Sequence, residues 1–469
     1  MRLLFGPLYV GLNNAPDRYG AHSAYLAPLA ERGDLTFGGP GADVAFDPVR
    51  EPLSALFARL PGGEAPEALV WWAPEYTPLP AGIEGCPIRS VAALGDWTIN
   101  FWGTVPMLAA FDLVLTDRLG AEVLGDHRAT VGLPPVAAWR MFTFDPTVHV
   151  HAPETPRDID VFFAGNLNSE VYEERAQWVR RLVALAPRVR VHVAGNVRGA
   201  EYVALLNRSR IAFNHGVRRE MNMRAYEAAA CGALLFQERD NHEIGEVFQD
   251  RRHCVLYDGD DLEPLLAHYL AHEDERRAIA DAARLRVQEE TAAHHLDLLE
   301  AHVKGLAAWG PATRALAALP PAERAWRLGL KTLLSDGFHA WGTGAQTLLA
   351  IDDPAYRGRV TGTLASVYGT VARLETDPAQ RAAFTGVARG WAAEALAADA
   401  ADPMHQLRAA ELALDAGEAA TAAGHLQLAE AVQGAGQHEA ARALAEGVGA
   451  GGGGLVERHA RRIHPVGQR

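Results

Sequence analysis

The sequence predicts an α/β protein with two doubly wound parallel domains, followed by an all-helical region. Short apolar segments typical of strands alternate with amphipathic helical segments up to about residue 300, as in parallel sheets with crossover helices. This alternation is interrupted once, by a Pro-rich stretch at residues 133–156, and the strand signal disappears after about residue 305. We therefore divide the chain into residues 1–150, 151–304 and 305–469.

The composition fits this size and excludes several classes of protein. The 469 residues are 49% hydrophobic and 22% charged, which is ordinary for a globular chain. The net charge of −14 argues against a general nucleic-acid binder. The 3 cysteines are too few and too scattered for a disulfide framework or a zinc cluster. We find no apolar run that would span a membrane and no basic leader, so we expect a cytoplasmic protein.

Lysine is nearly absent, since only Lys304 and Lys331 occur. The first two predicted domains up to residue 303 therefore hold neither a Schiff-base lysine nor a phosphate-binding Walker lysine. Any anion bound there has to be held by arginine, by backbone N–H groups or by helix N-termini.

The elements of the first domain follow from buried apolar runs. The predicted strands are Leu3–Gly6, Ala68–Trp72, Arg89–Leu94 and Asp112–Thr116, and the predicted helices are Ala21–Arg32 and Leu119–Leu124. The prolines that follow, from Pro134 to Pro156, are typical of a linker between domains.

The second domain repeats the same order of elements. Its predicted strands are Asp160–Ala164, Val189–Ala194, Arg210–Asn214, Ala233–Phe236 and Cys254–Tyr257. Its predicted helices are Glu170–Ala186, Ala200–Asn207, Asn222–Cys231, Asp261–Ala271 and Asp274–Glu289. In such sheets ligands bind outside the carboxyl ends of the strands, so we expect a cleft between the two domains.

The last region is rich in Ala, Leu and Arg with helical periodicity. Predicted helices at Met404–Ala416, Glu418–Val432 and His438–Glu446 resemble helix-turn-helix repeats of the tetratricopeptide kind, and a non-repeating bundle is the alternative. The run Gly449–Gly454 is typical of a flexible tail. We expect this region to dock an acceptor or to form a homo-oligomer, and a purely structural brace for the other two domains is the alternative.

Basic residues around one helix N-terminus predict an anion site. A loop carrying His215, Arg218, Arg219 and Glu220 leads from a strand to the helix that begins near Asn222. Arg224 lies in the first turn of that helix, where a cation is unfavourable unless an anion lies nearby. This arrangement suits a diphosphate. One turn later, Glu227 is placed to accept hydrogen bonds from sugar hydroxyls, or else to pair with Arg224 as an ordinary i,i+3 ion pair.

The segment NMRAYEAAACGALL at residues 222–235, followed by E-x-F at 246–248 and VLY at 255–257, resembles the glycosyltransferase group-1 family, and more narrowly its CgeB-like spore-maturation branch. The resemblance covers residues 150–300 well and residues 1–150 only loosely. It implies the GT-B fold, with two Rossmann-like domains and the nucleotide-sugar donor mostly on the second. It implies no cofactor and no metal, since the nucleotide-diphosphate sugar is a substrate.

The resemblance also implies roles for individual residues. Asn222, Met223 and Arg224 would face the donor phosphates, and Glu227 would take the position of the second Glu of the family's E-x7-E motif, which contacts the ribose. The first Glu would fall at Arg219, one residue before Glu220. Arg175 would replace the family's donor-binding lysine.

Two loops after strands of the second domain complete the predicted donor site. The turn Gly165–Ser169 opens a helix, and its Gly165, Asn166 and Asn168 would hold a phosphate or the sugar, with an ordinary helix cap as the alternative. Gly195 and Asn196 end the next strand and would flank the nucleobase.

The first domain offers acceptor-side candidates. Asp96 follows a strand and would bind the transferred sugar or, if the reaction inverts configuration, act as a base toward an acceptor hydroxyl; a cap of the next segment is the alternative. Two further candidates are loop residues and three are aromatic residues, and the alternative is that they are an ordinary loop and ordinary core residues. They are Asn13, Asn14, Trp71, Trp72 and Trp97.

Two patterns that resemble metal sites are set aside. Asp258–Asp261 stands just before a predicted helix, where Asp is a common N-cap, and His268 with His272 lacks a third ligand. We therefore expect no metal.

The predicted reaction is transfer of a hexosyl-type sugar from a nucleotide-diphosphate donor to an unknown acceptor, which is a glycan, a protein or a small molecule. The predicted outcome is retention of configuration. A nucleotide-sugar epimerase and a non-catalytic scaffold are the alternatives.

Overall fold

The computed structural model describes eight stretches of the chain, which are residues 1–7, 34–40, 42–62, 65–98, 101–167, 173–195, 197–335 and 340–433. The chain divides into two compact units. The first unit contains both sheets and comprises Met1–Pro74, Gly82–Trp97 and Leu108–Ala315. The second unit is helical and comprises Glu75–Ala81, Thr98–Met107 and Leu316–Arg469. The domain boundaries predicted near residues 150 and 304 stay predictions.

The first sheet is parallel throughout. Its strands are β1 (Leu3–Gly6), β2 (Leu35–Phe37), β3 (Ala68–Trp72), β4 (Arg89–Ala93), β5 (Leu113–Thr116) and β6 (Val136–Ala138). They lie in the order β2-β1-β3-β4-β5-β6. Every residue of β3 is buried, as expected for a strand covered on both faces.

The second sheet is also parallel. Its strands are β7 (Ile159–Ala164), β8 (Val191–Ala194), β9 (Ser209–Phe213), β10 (Leu234–Glu238) and β11 (Val255–Tyr257). The order β8-β7-β9-β10-β11 reverses the direction of winding between β7 and β9, which pair directly. The carboxyl ends of β7 and β9 are therefore the topological switch point, where doubly wound sheets leave a crevice for ligands.

The Pro-rich stretch is not simply a linker, as the sequence suggested. Residues 136–138 inside it form β6, which pairs with β5 through Val114 and Val136. Proline is tolerated there because β6 is an edge strand, and Pro134 and Pro135 precede its first residue.

Helices cover both sheets and build the second unit. In chain order up to residue 304 they are α1 (Leu53–Ala58), α2 (Phe101–Thr104), α3 (Arg118–Asp126), α4 (Arg128–Val131), α5 (Glu173–Ala184), α6 (Gly199–Arg208), α7 (Met223–Ala230), α8 (Ile244–Val247), α9 (Leu262–Ala271), α10 (Glu273–Val287) and α11 (Ala292–Lys304). The remaining helices are α12 (Pro321–Leu333), α13 (Trp341–Leu349), α14 (Arg357–Leu374), α15 (Pro378–Ala398), α16 (Pro403–Asp415) and α17 (Ala419–Gln433).

The second unit packs consecutive helices in pairs, α12 with α13, α14 with α15 and α16 with α17. Buried Leu333, Leu348 and Leu364 form its largest described cluster. The relationship to tetratricopeptide repeats stays a prediction. The helices predicted at Ala21–Arg32 and His438–Glu446 and the glycine run at Gly449–Gly454 lie outside the described residues. None of the helices in the described ranges combines the length and apolar character that a membrane span requires.

A buried lysine in α12 gives the second unit a testable dependence on pH. The Lys331 side chain is fully buried, and its Nζ donates to Ser335 Oγ at 3.0 Å. Burial lowers the pKa of Lys331 to about 7, against the opposing attraction of Glu75. In the unfolded chain the lysine pKa is about 10.4. Between about pH 7 and pH 10.4 the unfolded state therefore binds a proton that the folded state does not, so the free energy of unfolding rises with pH across that range.

We expect Lys331→Met to remove this rise. Urea unfolding of both proteins near neutral pH and at about pH 9.5 measures it, since the free energy of unfolding of the wild type should increase relative to that of the variant. An equal difference between the two proteins at both pH values would contradict the assignment.

Candidate functional site

Arg224 joins the two strand ends at the switch point of the second sheet. Its Nη1 donates to the carbonyl of Ala164, the last residue of β7, at 2.8 Å. Its Nε donates to Oδ1 of Asn214, the residue after β9, also at 2.8 Å. No carboxylate within the described ranges pairs with Arg224, and its contacts there are with these two neutral acceptors.

Gly165 allows this arginine to lie against the end of β7. A Cβ atom on Gly165 would stand 2.5 Å from Arg224 Nη1, which is a clash. The guanidinium carbon also lies 5.1 Å from the centroid of the Phe163 ring. Glycine is therefore needed at this position for the close approach of the guanidinium, rather than for a special backbone angle.

A chain of side-chain amides is oriented by Arg224. Because arginine only donates, Asn214 Oδ1 must be the acceptor, and Asn214 Nδ2 then donates to Oδ1 of Asn222 at 3.0 Å and to Oε1 of Gln237 at 2.8 Å. This order leaves Asn222 Nδ2 as a buried donor with no hydrogen-bond partner in the described part of the chain. An anionic or hydroxyl-bearing ligand would satisfy this unpaired donor beside a guanidinium that has only neutral acceptors in the described part of the chain.

The N-terminus of α7 opens beside Arg224. Asn222 is its N-cap and makes no side-chain capping bond, so the first-turn N–H groups receive no acceptor from their cap. Behind this turn the helix is apolar, and Ala225, Ala228 and Ala229 are at most 1% exposed. The packed alanine face fixes the helix with the positive end of its dipole at the crevice.

His215 lies buried beside several arginines. Burial, followed by the positive charges of Arg175, Arg224 and Arg219, lowers the pKa of His215 to about 4. His215 is 3% exposed, and its Nδ1 lies 3.1 Å from the Tyr257 hydroxyl. The imidazole is therefore neutral near pH 7.

A buried carboxyl group lies at the end of β10. Glu238 Oε1 accepts hydrogen bonds from Gly216 N at 3.0 Å and from Asn241 Nδ2 at 2.7 Å. Burial raises the pKa of Glu238 to about 7, although these bonds oppose the shift. Glu238 was not among the sequence candidates.

Glu227 does not form the i,i+3 pair with Arg224 that was the ordinary alternative. Its Oε2 accepts from the Tyr202 hydroxyl at 2.9 Å, and its Oε1 lies 3.3 Å from Nε2 of His149. The Glu227 side chain is buried, with 5% of the residue exposed. The carboxylate is thus held by side chains from α6 and from the segment after β6.

Arg218 connects the carboxyl ends of the two sheets. Its Nη1 lies 2.7 Å from Asp96 Oδ1, and its Nη2 donates to the Gly95 carbonyl at 2.9 Å. Asp117 and Glu220 add further negative charge at 3.5 and 3.9 Å. Asp96 is thus paired with an arginine of the second sheet, and Arg218, named above as a diphosphate candidate, is 9% exposed and committed to this bridge.

The neighbouring loop residues are also engaged. Arg219 adopts a positive φ of 59°, and its Nε lies 2.9 Å from Asp240. Glu220 accepts from the backbone N–H groups of Val217 and Arg218 at 3.3 and 2.6 Å, so it stabilises the loop itself. Among the described residues, the side chains of Arg219 and Glu220 thus contact Asp240 and the loop backbone.

The other predicted donor-side residues fall into three groups. Arg175, on α5, is 7% exposed and donates from Nε to the His215 carbonyl at 3.2 Å. Met223 opens α7 and is partly exposed, Asn166 is exposed in the loop after β7, and Gly195 follows β8. Asn168 and Asn196 lie outside the described residues, as do the acceptor-side candidates Asn13 and Asn14.

The acceptor-side tryptophans are buried. Trp71 is 0% exposed, Trp72 is 6% exposed and Trp97 is 8% exposed. Trp72 contacts Trp139 edge to face, and Trp97 Nε1 donates to Asp117 Oδ1 at 3.3 Å. Their rings belong to the core of the first sheet, as in the alternative given above. A stacking platform for a sugar stays a prediction.

The residues in the described ranges form no group of three or more His, Cys, Asp or Glu that would hold a metal ion. Asp258 and Asp261 pair with Arg239 at 3.2 and 2.8 Å. His268 stacks on His272 and lies 2.8 Å from Glu275.

The two parallel sheets with their helices, followed by a helical region, fit the α/β GT-B fold. Residues 152–301, which carry the second sheet and the Arg224 crevice, match the family described as glycosyl transferase-like. This region is therefore glycosyltransferase-like. No curated protein matches the sequence.

Solved structures of similar architecture include three enzymes at low similarity. The sucrose-phosphate synthase from Thermosynechococcus elongatus is 10% identical with a TM-score of 0.42, over 64% of this chain and 98% of that one. The UDP-forming trehalose-phosphate synthase from Burkholderia vietnamiensis is 12% identical with a TM-score of 0.44, over 68% and 98%. A glycosyltransferase from Rickettsia africae ESF-5 is 11% identical with a TM-score of 0.39, over 65% and 97%.

Proposed function

We propose that the chain transfers a sugar from a nucleoside-diphosphate donor to an acceptor, with the donor diphosphate at Arg224 and the N-terminus of α7. One observation carries the proposal: at the switch point of the second sheet, Arg224 bridges β7 and β9 through neutral acceptors and has no carboxylate partner in the described chain. The buried donor of Asn222 and the uncapped first turn of α7 add directed N–H groups. Together they match a dianionic leaving group.

The chemistry that these residues support is departure of a diphosphate. In the reaction the bond from the anomeric carbon to the diphosphate oxygen breaks, so the sugar becomes cationic while negative charge grows on the diphosphate. Arg224 and the α7 N–H groups lie where they would stabilise that growing charge, which lowers the barrier more than uniform binding of the donor would. Glu227 would orient the donor through the ribose hydroxyls, and we expect activity in the presence of a metal chelator.

We further propose retention of configuration and a hexosyl donor, in keeping with the CgeB-like motif at residues 222–235. With retention, Asp96 would keep a structural role in its 2.7 Å ion pair with Arg218, because a retaining transfer does not require a base on the first sheet. NMR of the product anomeric proton would decide, and an inverted product would return Asp96 to the role of base.

The binding of nucleoside diphosphates tests the proposal without knowledge of the acceptor. Calorimetry with UDP, GDP, ADP and TDP should find at least one that binds. The protein should also hydrolyse the matching nucleotide-sugar slowly, with water as the acceptor, and so release that nucleoside diphosphate. Glu227→Ala should weaken this binding about tenfold, the usual order for loss of a hydrogen-bonded charged group. Arg252→Ala, which alters an exposed arginine, is the matched control.

Two outcomes would favour other functions. Interconversion of donor sugars with no acceptor and no release of nucleoside diphosphate would indicate an epimerase. Absence of binding by all four nucleotides and their sugar donors would indicate a non-catalytic scaffold, and it would overturn the proposal.

A further inference from the structure

Both oxygens of the Glu227 carboxylate are held by side chains from other elements. Tyr202 of α6 donates to Oε2 at 2.9 Å, and His149 lies 3.3 Å from Oε1. A carboxylate offers about four acceptor positions, so about two remain, one on each oxygen. Two acceptors at a fixed spacing fit a pair of vicinal hydroxyl groups.

The ring of His149 keeps a donor toward Glu227 in either protonation state. Nδ1 lies 3.1 Å from both the backbone N–H and the carbonyl of Asp145. In the neutral ring Nδ1 accepts from the Asp145 N–H, which places the proton on Nε2, and in the charged ring Nδ1 donates to the Asp145 carbonyl while Nε2 still carries a proton. Nδ1 can accept from the Asp145 N–H or donate to the Asp145 carbonyl, so this turn accommodates a proton on Nε2, and the Glu227 carboxylate, as an acceptor, favours that tautomer.

From this geometry we infer that His149 is a positioning residue for the donor ribose: it fixes the Glu227 carboxylate so that its two remaining acceptor positions receive the vicinal hydroxyls. The inference rests on the proposed function. His149 belongs to neither the α7 motif nor the loops after β7 and β9, and it lies in the stretch after β6.

The groups around His149 agree with a charged ring beside a carboxylate. Glu227 faces it from α7, Asp145 from its own turn and Tyr202 from α6, with the two ring centroids 6.5 Å apart. Burial lowers the pKa of His149, but hydrogen bonding and attraction by Glu227 outweigh it, and the net pKa is raised.

The test compares a nucleoside diphosphate with inorganic pyrophosphate, because pyrophosphate reaches Arg224 and α7 but has no ribose. His149→Leu should weaken binding of the best nucleoside diphosphate about tenfold and leave pyrophosphate binding unchanged. It should also reduce the preference for that nucleotide over its 2′-deoxy form. His149→Gln, which retains an N–H near the position of Nε2, should restore most of the affinity.

A matched control lies on the same segment. His151 Nδ1 lies 3.1 Å from the carbonyl of Cys231 at the other end of α7, so His151→Leu loosens the segment without touching Glu227. It should lower the melting temperature and leave both affinities unchanged.

The outcomes separate the two claims. If Glu227→Ala weakens nucleotide binding and His149→Leu does not, the inference about His149 is wrong and the proposed function stands. An equal loss for nucleotide and pyrophosphate in His149→Leu, or an equal effect of His151→Leu on the nucleotide, would reduce His149 to a structural residue and overturn the inference. Failure of every diphosphate to bind overturns both claims.

Discussion

Replacing Arg224 with alanine is expected to weaken binding of nucleoside diphosphate and of pyrophosphate together, by about a hundredfold or more. Its guanidinium lies at the ends of β7 and β9 and has no carboxylate partner among the described residues. Each charge-assisted hydrogen bond from it to a phosphate is worth about 1.5–3 kcal/mol. Turnover should fall further than binding, because charge on the diphosphate increases in the transition state.

Two further variants sharpen this result. Arg224→Lys keeps the charge but loses the planar fork that spans Ala164 and Asn214, so it should recover only part of the affinity. Arg252→Ala should bind like the wild type. Circular dichroism melts establish that Arg224→Ala is folded. A folded Arg224→Ala with unchanged affinity for both ligands would refute the site.

The second large effect is expected on stability, at Arg314. Its guanidinium pairs with Asp112 at 2.7 Å, with both side chains 0% exposed, and donates to the carbonyls of Glu84, Cys86 and Ile88. Arg314→Met should leave the Asp112 carboxylate buried without its counter-ion, although Ser90 and Gly310 still donate to it, at a loss of about 3–5 kcal/mol in the free energy of unfolding. Urea denaturation measures this loss.

A double variant and a surface control complete the experiment. Arg314→Met combined with Asp112→Leu removes both charges, and we expect it to recover part of the lost stability. Arg277→Met, at an exposed arginine of α10, should change the free energy of unfolding by less than about 0.5 kcal/mol. A loss below about 1 kcal/mol for the single variant Arg314→Met would contradict the stabilising role of the Arg314–Asp112 ion pair.

The sheets were predictable because their strands are buried on both faces and read as continuous apolar runs. Ala68–Trp72 and Ile159–Ala164 are completely buried, and the sequence identified both within a residue. Strands β2 and β6 were missed, whereas β11, which also has three residues, was predicted from its apolar run; β6 in particular is only partly buried. Their strand character comes from pairing with β1 and β5, which a local reading of the sequence does not contain.

The candidate site was predictable where a motif carries it. Arg224, Asn222 and Glu227 follow from residues 222–235, whereas Asn214 looked like the ordinary end of a strand. His149 is 78 positions from Glu227, and only the tertiary structure brings the two together. Arg218 was predicted to bind the diphosphate because it is a basic residue in the loop before α7. In the structure it forms an ion pair with Asp96, which follows a strand of the other sheet. Sequence spacing identifies a charge but not the partner that neutralises it.

The most direct measurement is a crystal structure of the protein soaked with its best nucleoside diphosphate. The account predicts the diphosphate within hydrogen-bond distance of Arg224 and the first turn of α7, with the ribose hydroxyls on Glu227. Density for the nucleotide elsewhere, with Arg224 and Asn222 still free of any ligand at saturation, would contradict it.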